Sequence, residues 1–152
     1  MFESAVKAYL KAHRFHHIDL RTAMFDMDGV LFDSMKNHAW SWNQAMRRYS
    51  FHLDEEEVYM HEGRTGASTI NSVSLRERGH LATEQEIHDI YACKSNFFNS
   101  RPAPQPMVGA LTLLQQVKAS GVQPMVVTGS GQKTLLDRLQ SGFPNIFTPG
   151  LI

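Results

Sequence analysis

The stretch MFDMDGVLFDS (residues 24–34) places two aspartates, Asp26 and Asp28, where a short apolar run meets a glycine. The apolar run TAMF (22–25) and the Asp-Gly pair after it predict a buried β-strand that ends in a turn. Side chains alternate along an extended segment, so both carboxylates would point to the same side, roughly 6.6 Å apart at about 3.3 Å per residue. The stretch therefore predicts a pair of acidic side chains at the carboxyl end of a buried strand.

A second apolar run, QPMVVTGSG (123–131), also ends in glycines and small polar residues. It predicts another buried strand, and the chain between the two runs has helical patterns. Helices between two buried strands favour a parallel sheet, because a parallel connection needs a long crossover. After an amphipathic helix near the start, the predicted helices cover about 34–49, 55–61, 67–78, 83–100, 108–119 and 132–139.

The helical block that follows the first strand is too long for a simple crossover, so we interpret it as an inserted cap. The proline-rich segment RPAPQP (101–106) marks its end. We predict a parallel-sheet core formed by residues 1–34 and 101–152, and a helical cap formed by residues 35–100. Two strands are fewer than a buried parallel sheet usually contains. We therefore expect this core to be the front part of a larger α/β protein.

Charge and composition argue against several classes of function and location for this protein. The 15 basic residues balance 15 acidic ones, so no net charge points to nucleic acid or to an anionic membrane. Charged residues interrupt the first 21 residues, which excludes a signal peptide or a membrane span there. The single cysteine, Cys93, fits a reducing compartment. We expect a cytoplasmic protein that binds neither nucleic acid nor membrane, and the sequence leaves its oligomeric state open.

The two strand ends are predicted to bring carboxylates and phosphate-binding groups to one edge of the sheet. Ligands of open α/β sheets bind beyond the carboxyl ends of the strands. The amides and hydroxyls of Thr128, Gly129 and Ser130, with a helix start behind them, suit a phosphate group. Bare carboxylates repel phosphate, so a site that contains Asp26 and Asp28 beside a phosphate is expected to bind a divalent cation. A site with only oxygen donors favours Mg²⁺.

This combination suits phosphoryl transfer. One carboxylate can attack phosphorus to form an aspartyl-phosphate, and the other can donate and accept protons. The alternative is a plain turn that closes a strand, with both aspartates bonded to local amides. The second glycine-rich strand end about a hundred residues later favours the catalytic interpretation.

The motifs FDMDGVLFDS (25–34) and VVTGSG (126–131), separated by a helical insertion, resemble the first two motifs of the haloacid dehalogenase superfamily of phosphotransferases. The stretch DGVLFDSMKNHAWSW (28–42) and the helical cap resemble its β-phosphoglucomutase-like phosphatase branch. The likeness covers nearly the whole chain after about residue 22. It implies an α/β fold with a Rossmannoid parallel-sheet core, incomplete in this chain, and an inserted helical-bundle cap.

The resemblance also assigns roles to the matching residues of the sheet edge. Asp26 would be the nucleophile and Asp28 the general acid/base, and both would hold Mg²⁺, Asp28 through its main-chain carbonyl. Thr128 would hydrogen-bond the transferring phosphoryl group, helped by the amides of Gly129 and Ser130.

The cap supplies the remaining candidate residues. By resemblance, His38 would couple closure of the cap to the placing of Asp28, although an ordinary surface histidine is the alternative. In HEGRTGAST (61–69), two glycines flank Arg64 and Thr65, so this loop could approach a ligand closely. Arg64 could clamp a second anionic group, and Glu62 would fit if it reached the metal or a bound water. A solvated turn between helices is the alternative.

Two motifs implied by the resemblance are missing here: a lysine beside the nucleophile and an acidic pair that completes the metal site. We expect this stretch alone to be weakly active or inactive, and the intact enzyme to have roughly 70 or more further residues. The favoured function is a Mg²⁺-dependent hydrolase of a small phosphorylated metabolite, pyrophosphate included. A sugar phosphomutase and a truncated chain that binds anions without catalysis are alternatives. A nucleotide-binding P-loop at GSGQKT (129–134) is disfavoured, because Gln132 stands where that motif needs glycine.

Overall fold

The computed structural model describes residues 2–129 and 135–147. It has the α/β architecture predicted from the sequence, with a short parallel sheet and mostly helices. The elements in chain order are α1 (Glu3–His13), β1 (Thr22–Phe25), α2 (Met35–Arg48), α3 (Glu55–Met60), α4 (Gly66–Arg78), α5 (Glu84–Asn99), α6 (Ala110–Ala119), β2 (Gln123–Val126) and α7 (Leu135–Gly142). Within the described ranges, no helix combines the length and apolar character that a bilayer crossing needs.

The two strands lie side by side in parallel, with Phe25 of β1 opposite Val126 of β2. The ladder continues one step further, because the Val127 N–H donates to the Phe25 carbonyl oxygen at 2.9 Å. Both strands therefore end at the same edge of the sheet. The prediction of two parallel strands separated by helices is confirmed.

The prediction that β1 is a buried strand is wrong. Its residues alternate between exposed and half-buried, and Met24 is 73% exposed. The reason is the alternation of side chains along a strand. Only the face that carries Ala23 and Phe25 is covered, and Phe25 packs against the neighbouring hydrophobic cluster.

The buried apolar side chains form two clusters. The first, which we call the sheet cluster, joins the segment after β1 to α6, β2 and α7; it contains Met27, Leu31, Phe32, Ala110, Leu114, Val126, Leu139, Phe143, Ile146 and Phe147. The second, which we call the helical cluster, lies among α2 to α5; it contains Ala39, Trp42, Met46, Phe51, Leu53, Val58, Ile70, Val73, Ala82 and Ile90. The division into two domains at residues 34 and 100 stays a prediction.

Some of the helix caps and helix ends predicted from the sequence are observed in the structure, and others are not. Thr83 and Glu86 form the predicted capping box of α5, and Gly79 ends α4 in the left-handed conformation. Ser34 precedes α2 as predicted, but its hydroxyl does not cap the helix. The last helix runs to Gly142, beyond the predicted end at residue 139.

Candidate active site

A polar cavity of about 100 Å³ lies at the edge where β1 and β2 end. Asp26, Asp28, Thr128 and Gly129 line it from the strand ends. The helices and the loop between α3 and α4 contribute His38, Trp42, Val58, His61, Glu62, Gly63, Arg64, Gly66, Thr69, Tyr91 and Lys94. Of the residues predicted from the sequence, Ser130 lies outside the described residues.

Asp26 is the first residue after β1, and its side chain is on the surface of the cavity. Its Oδ1 accepts a hydrogen bond from the Met27 backbone N–H at 2.7 Å. The strand register places residue 26 beside Val127, since the Val127 N–H bonds to the carbonyl oxygen of Phe25. Asp26 therefore faces the cavity immediately next to the segment that carries Thr128.

Asp28 is held more tightly, and its side chain is only 12% exposed. Its Oδ1 accepts a hydrogen bond from the Ser34 hydroxyl at 2.6 Å and lies 3.1 Å from Nε2 of His38. Burial acts to raise the Asp28 pKa, but the contacts with His38 and Ser34 and the charge of Lys94 outweigh it. The Asp28 pKa is therefore lowered from its ordinary value.

Gly29 makes the turn that directs Asp28 into the cavity. Its φ of +76° lies in the left-handed region, and its N–H donates to the Phe32 carbonyl oxygen at 2.9 Å. A side chain there would be strained and would press against Met35. The glycine of the Asp-Gly pair is thus required by the backbone conformation of the turn.

Lys94 is a cavity residue that was not predicted from the sequence. Its Nζ lies 2.9 Å from Nδ1 of His38, and the whole residue is 3% exposed. Burial lowers the Lys94 pKa to about 8, although the charges of Asp28 and Glu62 act in the opposite direction. The ammonium also lies over the rings of Trp42 and Phe98, at 5.5 and 5.1 Å from their centroids.

His38 links this lysine to Asp28. Because the Lys94 ammonium can only donate, Nδ1 of His38 must accept, which leaves the imidazole proton on Nε2. That N–H faces Oδ1 of Asp28 at 3.1 Å, but its direction does not meet the angular requirement of a hydrogen bond. The contact is therefore electrostatic in this geometry.

The loop between α3 and α4 also contributes to the wall of the cavity. Glu62 and Arg64 both line it and are largely exposed. The neighbouring Thr65 does not line the cavity; its hydroxyl accepts a hydrogen bond from the Ser68 N–H and caps α4. The loop folds back on itself, since the Arg64 N–H donates to the His61 carbonyl oxygen at 3.1 Å.

The carboxylates at the strand ends fit a magnesium ion. Asp26 and Asp28 supply hard oxygen donors, and the described residues contain no group of three or more His, Cys, Asp or Glu placed to hold a metal. Mg²⁺ is usually bound by one or two carboxylates together with waters and substrate phosphates. The oxygen donors of Asp26 and Asp28 match this pattern.

Comparison with known proteins supports the resemblance seen in the sequence. The family of haloacid dehalogenase-like hydrolases matches residues 23–143. A solved structure from Bacteroides vulgatus, named for a suggested β-phosphoglucomutase activity, is 57% identical with a TM-score of 0.92. The match covers 99% of this chain, and the chain spans 60% of the length of that protein.

More distant structures share the fold. A β-phosphoglucomutase from Clostridium difficile is 18% identical with a TM-score of 0.63, over 85% of this chain and 60% of its own. A suggested phosphoglycolate phosphatase from Haemophilus somnus is 20% identical with a TM-score of 0.63, over 82% of this chain and 58% of its own. The search of curated proteins found no match. The family match over residues 23–143, together with 57% identity across nearly the whole chain, shows that this chain belongs to the haloacid dehalogenase-like hydrolases.

Proposed function

We propose that this chain forms the phosphoryl-transfer site of a Mg²⁺-dependent phosphohydrolase that acts on a small phosphorylated metabolite in the cytoplasm. One observation carries the proposal: two carboxylates and the Thr128-Gly129 segment line one cavity at the sheet edge. A carboxylate nucleophile, a proton-transfer group and phosphate-binding amides are the parts that hydrolysis through an aspartyl-phosphate needs.

In the first step, a carboxylate oxygen of Asp26 attacks the phosphorus atom. The bond between phosphorus and the leaving oxygen breaks, and that oxygen takes a proton from Asp28. Bound Mg²⁺, held by the Asp26 carboxylate and the Asp28 main-chain carbonyl, would offset the repulsion between the carboxylates and the phosphate. Thr128 and the backbone amides of Gly129 and Ser130 would stabilise the charge on the transferring phosphoryl oxygens.

In the second step, Asp28 accepts a proton from water, and the water oxygen attacks the phosphorus of the aspartyl-phosphate. The bond to Asp26 breaks and phosphate is released. Asp28 is able to accept this proton because it gave up its own in the first step, and its lowered pKa keeps the carboxylate ionised. The first step needs protonated Asp28, and an incoming phosphate dianion would favour protonation by like-charge repulsion.

The cap residues suit a compact and highly charged substrate. Arg64 and Lys94 add positive charge to a cavity whose volume of about 100 Å³ is below the range usual for drug-sized ligands. Glu62 on the same wall would repel a phosphate group unless it reached the metal or a bound water. Pyrophosphate meets these requirements, and Arg64 would clamp its second phosphate.

A sugar phosphomutase is the second candidate. The protein from Bacteroides vulgatus with 57% identity is named for that suggested activity. The mutase would use Asp26 and Asp28 in the same roles but return the phosphoryl group to a second hydroxyl. The two activities differ in how well the closed site excludes water. Conversion of a hexose 1-phosphate to its 6-phosphate without phosphate release would favour the mutase.

The test is phosphate release from pyrophosphate, sugar phosphates and nucleotides, with and without Mg²⁺. It uses the 152-residue chain and a version extended by the remaining part of the Bacteroides vulgatus protein. We expect release only with Mg²⁺, and none from the Asp26→Asn variant. Asp33→Asn, at an exposed residue of the same motif, is the matched control and should keep activity. Wild-type rates in Asp26→Asn would overturn the nucleophile assignment, and binding without release in every form would favour an anion-binding chain.

A further inference from the structure

The first helix of the chain, α1, has an apolar face that the described residues leave largely uncovered. The apolar side chains on this face recur at helical spacing, and they are Phe2, Val6, Tyr9 and Leu10. Phe2, Val6 and Tyr9 are between 42% and 77% exposed. Among the described residues, none of α1 is buried, and none belongs to the sheet cluster or to the helical cluster.

The exposed apolar surface continues from α1 toward β1. The helix ends at Arg14 in the left-handed conformation, and the Phe15 N–H then donates to the Leu10 carbonyl oxygen at 2.9 Å. This turn brings the Phe15 ring to 6.2 Å from the Tyr9 ring, measured between centroids. Further along, the exposed apolar side chains are Ile18, Leu20 and Met24. Folded monomers rarely leave large apolar patches in water, so this surface indicates a contact with another part of a protein.

The length of α1 also indicates that its apolar face is covered. An isolated helix shorter than about 12 residues is marginal in water, and most helical stability in proteins comes from packing of an amphipathic face. α1 has 11 residues. It also lacks a side-chain cap at its start, because Phe2 at the N-cap position has no oxygen that could accept from the helix N–H groups. We therefore expect α1 to be stable only when its apolar face packs against a partner.

The Bacteroides vulgatus protein indicates what that partner is. Its match covers 99% of this chain at a TM-score of 0.92, so the match includes α1. The family match begins only at residue 23, so α1 is an addition to the part that the family model covers. This chain covers 60% of the Bacteroides vulgatus protein, so the other 40% of that protein lies outside the match. Among the described residues, β1 pairs with β2 alone, which leaves room beside β1 for this further part.

We propose that the apolar face of α1 docks onto a further segment of the protein, equivalent to the part of the Bacteroides vulgatus protein that this chain does not match. α1 would thereby hold that segment beside β1. The side chains that the contact would bury are Phe2, Val6, Tyr9 and Phe15. Lys11 lies on the opposite side of the helix from Tyr9 and would stay in water. This inference goes beyond the proposed function and does not depend on it.

The first experiment compares hydrogen exchange of the α1 amides in the 152-residue chain and in the extended version used to test the proposed function. We expect exchange to be at least ~100-fold slower in the extended version, because opening the helix would then expose its buried face. Similar exchange in the 152-residue chain and in a folded extended version would overturn the inference. If the extended version does not fold, the Bacteroides vulgatus protein replaces it, and its matching helix should show the same slow exchange.

The second experiment places the contact on the apolar face. In the extended version, Tyr9→Ala should speed exchange of the α1 amides at least ~10-fold through loss of buried apolar area. Lys11→Ala is the matched control and should stay within about twofold of wild type. Alanine favours a helix more than tyrosine does, so faster exchange in Tyr9→Ala would not come from helix propensity. Equal effects of the two variants would overturn the inference.

Two other occupants of the face give different results. Slow α1 exchange in the 152-residue chain that appears only with rising chain concentration, together with a dimer in sedimentation, would make a second copy the occupant. Slow exchange caused by vesicles of phosphatidylcholine and phosphatidylserine, but not by the extension, would make a membrane the occupant. Either result would overturn the inference. Asp26→Asn should leave α1 exchange unchanged, so failure of the proposed function is distinguishable from failure of this inference.

Discussion

Asp28 depends on Ser34, a residue that the sequence predicts only as a helix cap. The Ser34 hydroxyl is buried and donates to Oδ1 of Asp28 at 2.6 Å. It therefore stabilises the charged carboxylate and helps lower the Asp28 pKa. At the scale of single residues, this serine hydrogen-bonds the proposed acid/base residue and does not cap α2.

We predict that Ser34→Ala raises the Asp28 pKa, measured by a ¹³C NMR titration of the carboxyl carbon. A lowered carboxyl pKa gives stability that is present above the ordinary value and lost as pH falls through the folded value. The variant should therefore begin to lose stability at a higher pH than wild type on acidification. Ser41→Ala is the matched control, since the buried Ser41 hydroxyl donates to the Asn37 carbonyl oxygen. Equal Asp28 titrations in both variants would contradict the prediction.

Lys94 gives a second pH-dependent prediction, in the alkaline range. Burial lowers the Lys94 pKa to about 8 in the folded chain, whereas that of an ordinary lysine is about 10.5. Between these values the unfolded state binds more protons, so the free energy of unfolding should rise with pH. Relative to Lys94→Met, wild type should gain at most about 3 kcal/mol between pH 8 and 10.5.

Urea unfolding at several pH values measures this difference. Lys118→Met, at an exposed lysine that binds the Asn145 carbonyl oxygen, is the control and should show no comparable change. Parallel pH profiles for wild type and Lys94→Met would show that Lys94 does not release its proton in this range.

The residues found from the sequence and those missed differ in how they reach the cavity. Asp26, Asp28, Thr128 and Gly129 follow strand ends, so local patterns and parallel topology bring them together. Lys94 reaches the cavity only because α5 packs against α2. Its signal was present in the spacing, since Ile90, Lys94 and Phe98 all lie on the buried side of α5. A lysine within an apolar stripe of a helix is the pattern that would have found it.

At the scale of elements, the start of α4 depends on a close approach that only glycine permits. A Cβ atom on Gly66 would overlap the ring of Tyr91 on α5. Both residues line the cavity, so the contact also sets the position of the loop that carries Arg64. The glycines of this loop were predicted to allow close approach to a ligand, but at Gly66 the close neighbour is another helix.

We predict that Gly66→Ala lowers the free energy of unfolding by about 1–3 kcal/mol, the usual range for overpacking. Helix propensity alone predicts the opposite sign, because alanine is favoured over glycine by about 1 kcal/mol in a helix. Urea denaturation distinguishes the two. In a Tyr91→Ala background the cost of Gly66→Ala should shrink or reverse. An equal cost in both backgrounds would show that the Tyr91 ring is not the cause.

The burial of β1 could not be predicted from its own sequence pattern. A short apolar run predicts a strand but does not say how many of its faces are covered. In β1 one face contacts the sheet cluster, and Met24 on the other face is exposed. Burial of a strand depends on neighbours supplied by the rest of the molecule, which a four-residue pattern cannot contain.

At the scale of the whole molecule, the predicted family is confirmed, and the chain spans 60% of the length of the Bacteroides vulgatus protein. The described residues form a sheet of two strands, whereas open parallel sheets usually have more. The cavity holds the carboxylates of the proposed mechanism. Among the described residues, nothing after Gly129 adds a lysine or an acidic side chain to its lining, and Lys94 comes from α5 in the predicted cap. We therefore expect the electrostatic environment of Asp26 to need a further segment.

We predict that the chain extended by the remaining 40% of the Bacteroides vulgatus protein releases phosphate at least ~100-fold faster than the 152-residue chain. Loss of one preorganised charge or donor commonly slows an enzyme by about 10²–10³-fold. Phosphate release under saturating Mg²⁺ measures the ratio, and Asp26→Asn in the extended chain should remove the gain. The extended chain must first be shown to fold, by a single cooperative unfolding transition. Equal rates in a folded extended chain and in the 152-residue chain would mean that Asp26, Asp28 and the cap residues suffice, with Lys94 as the cation that balances their charge.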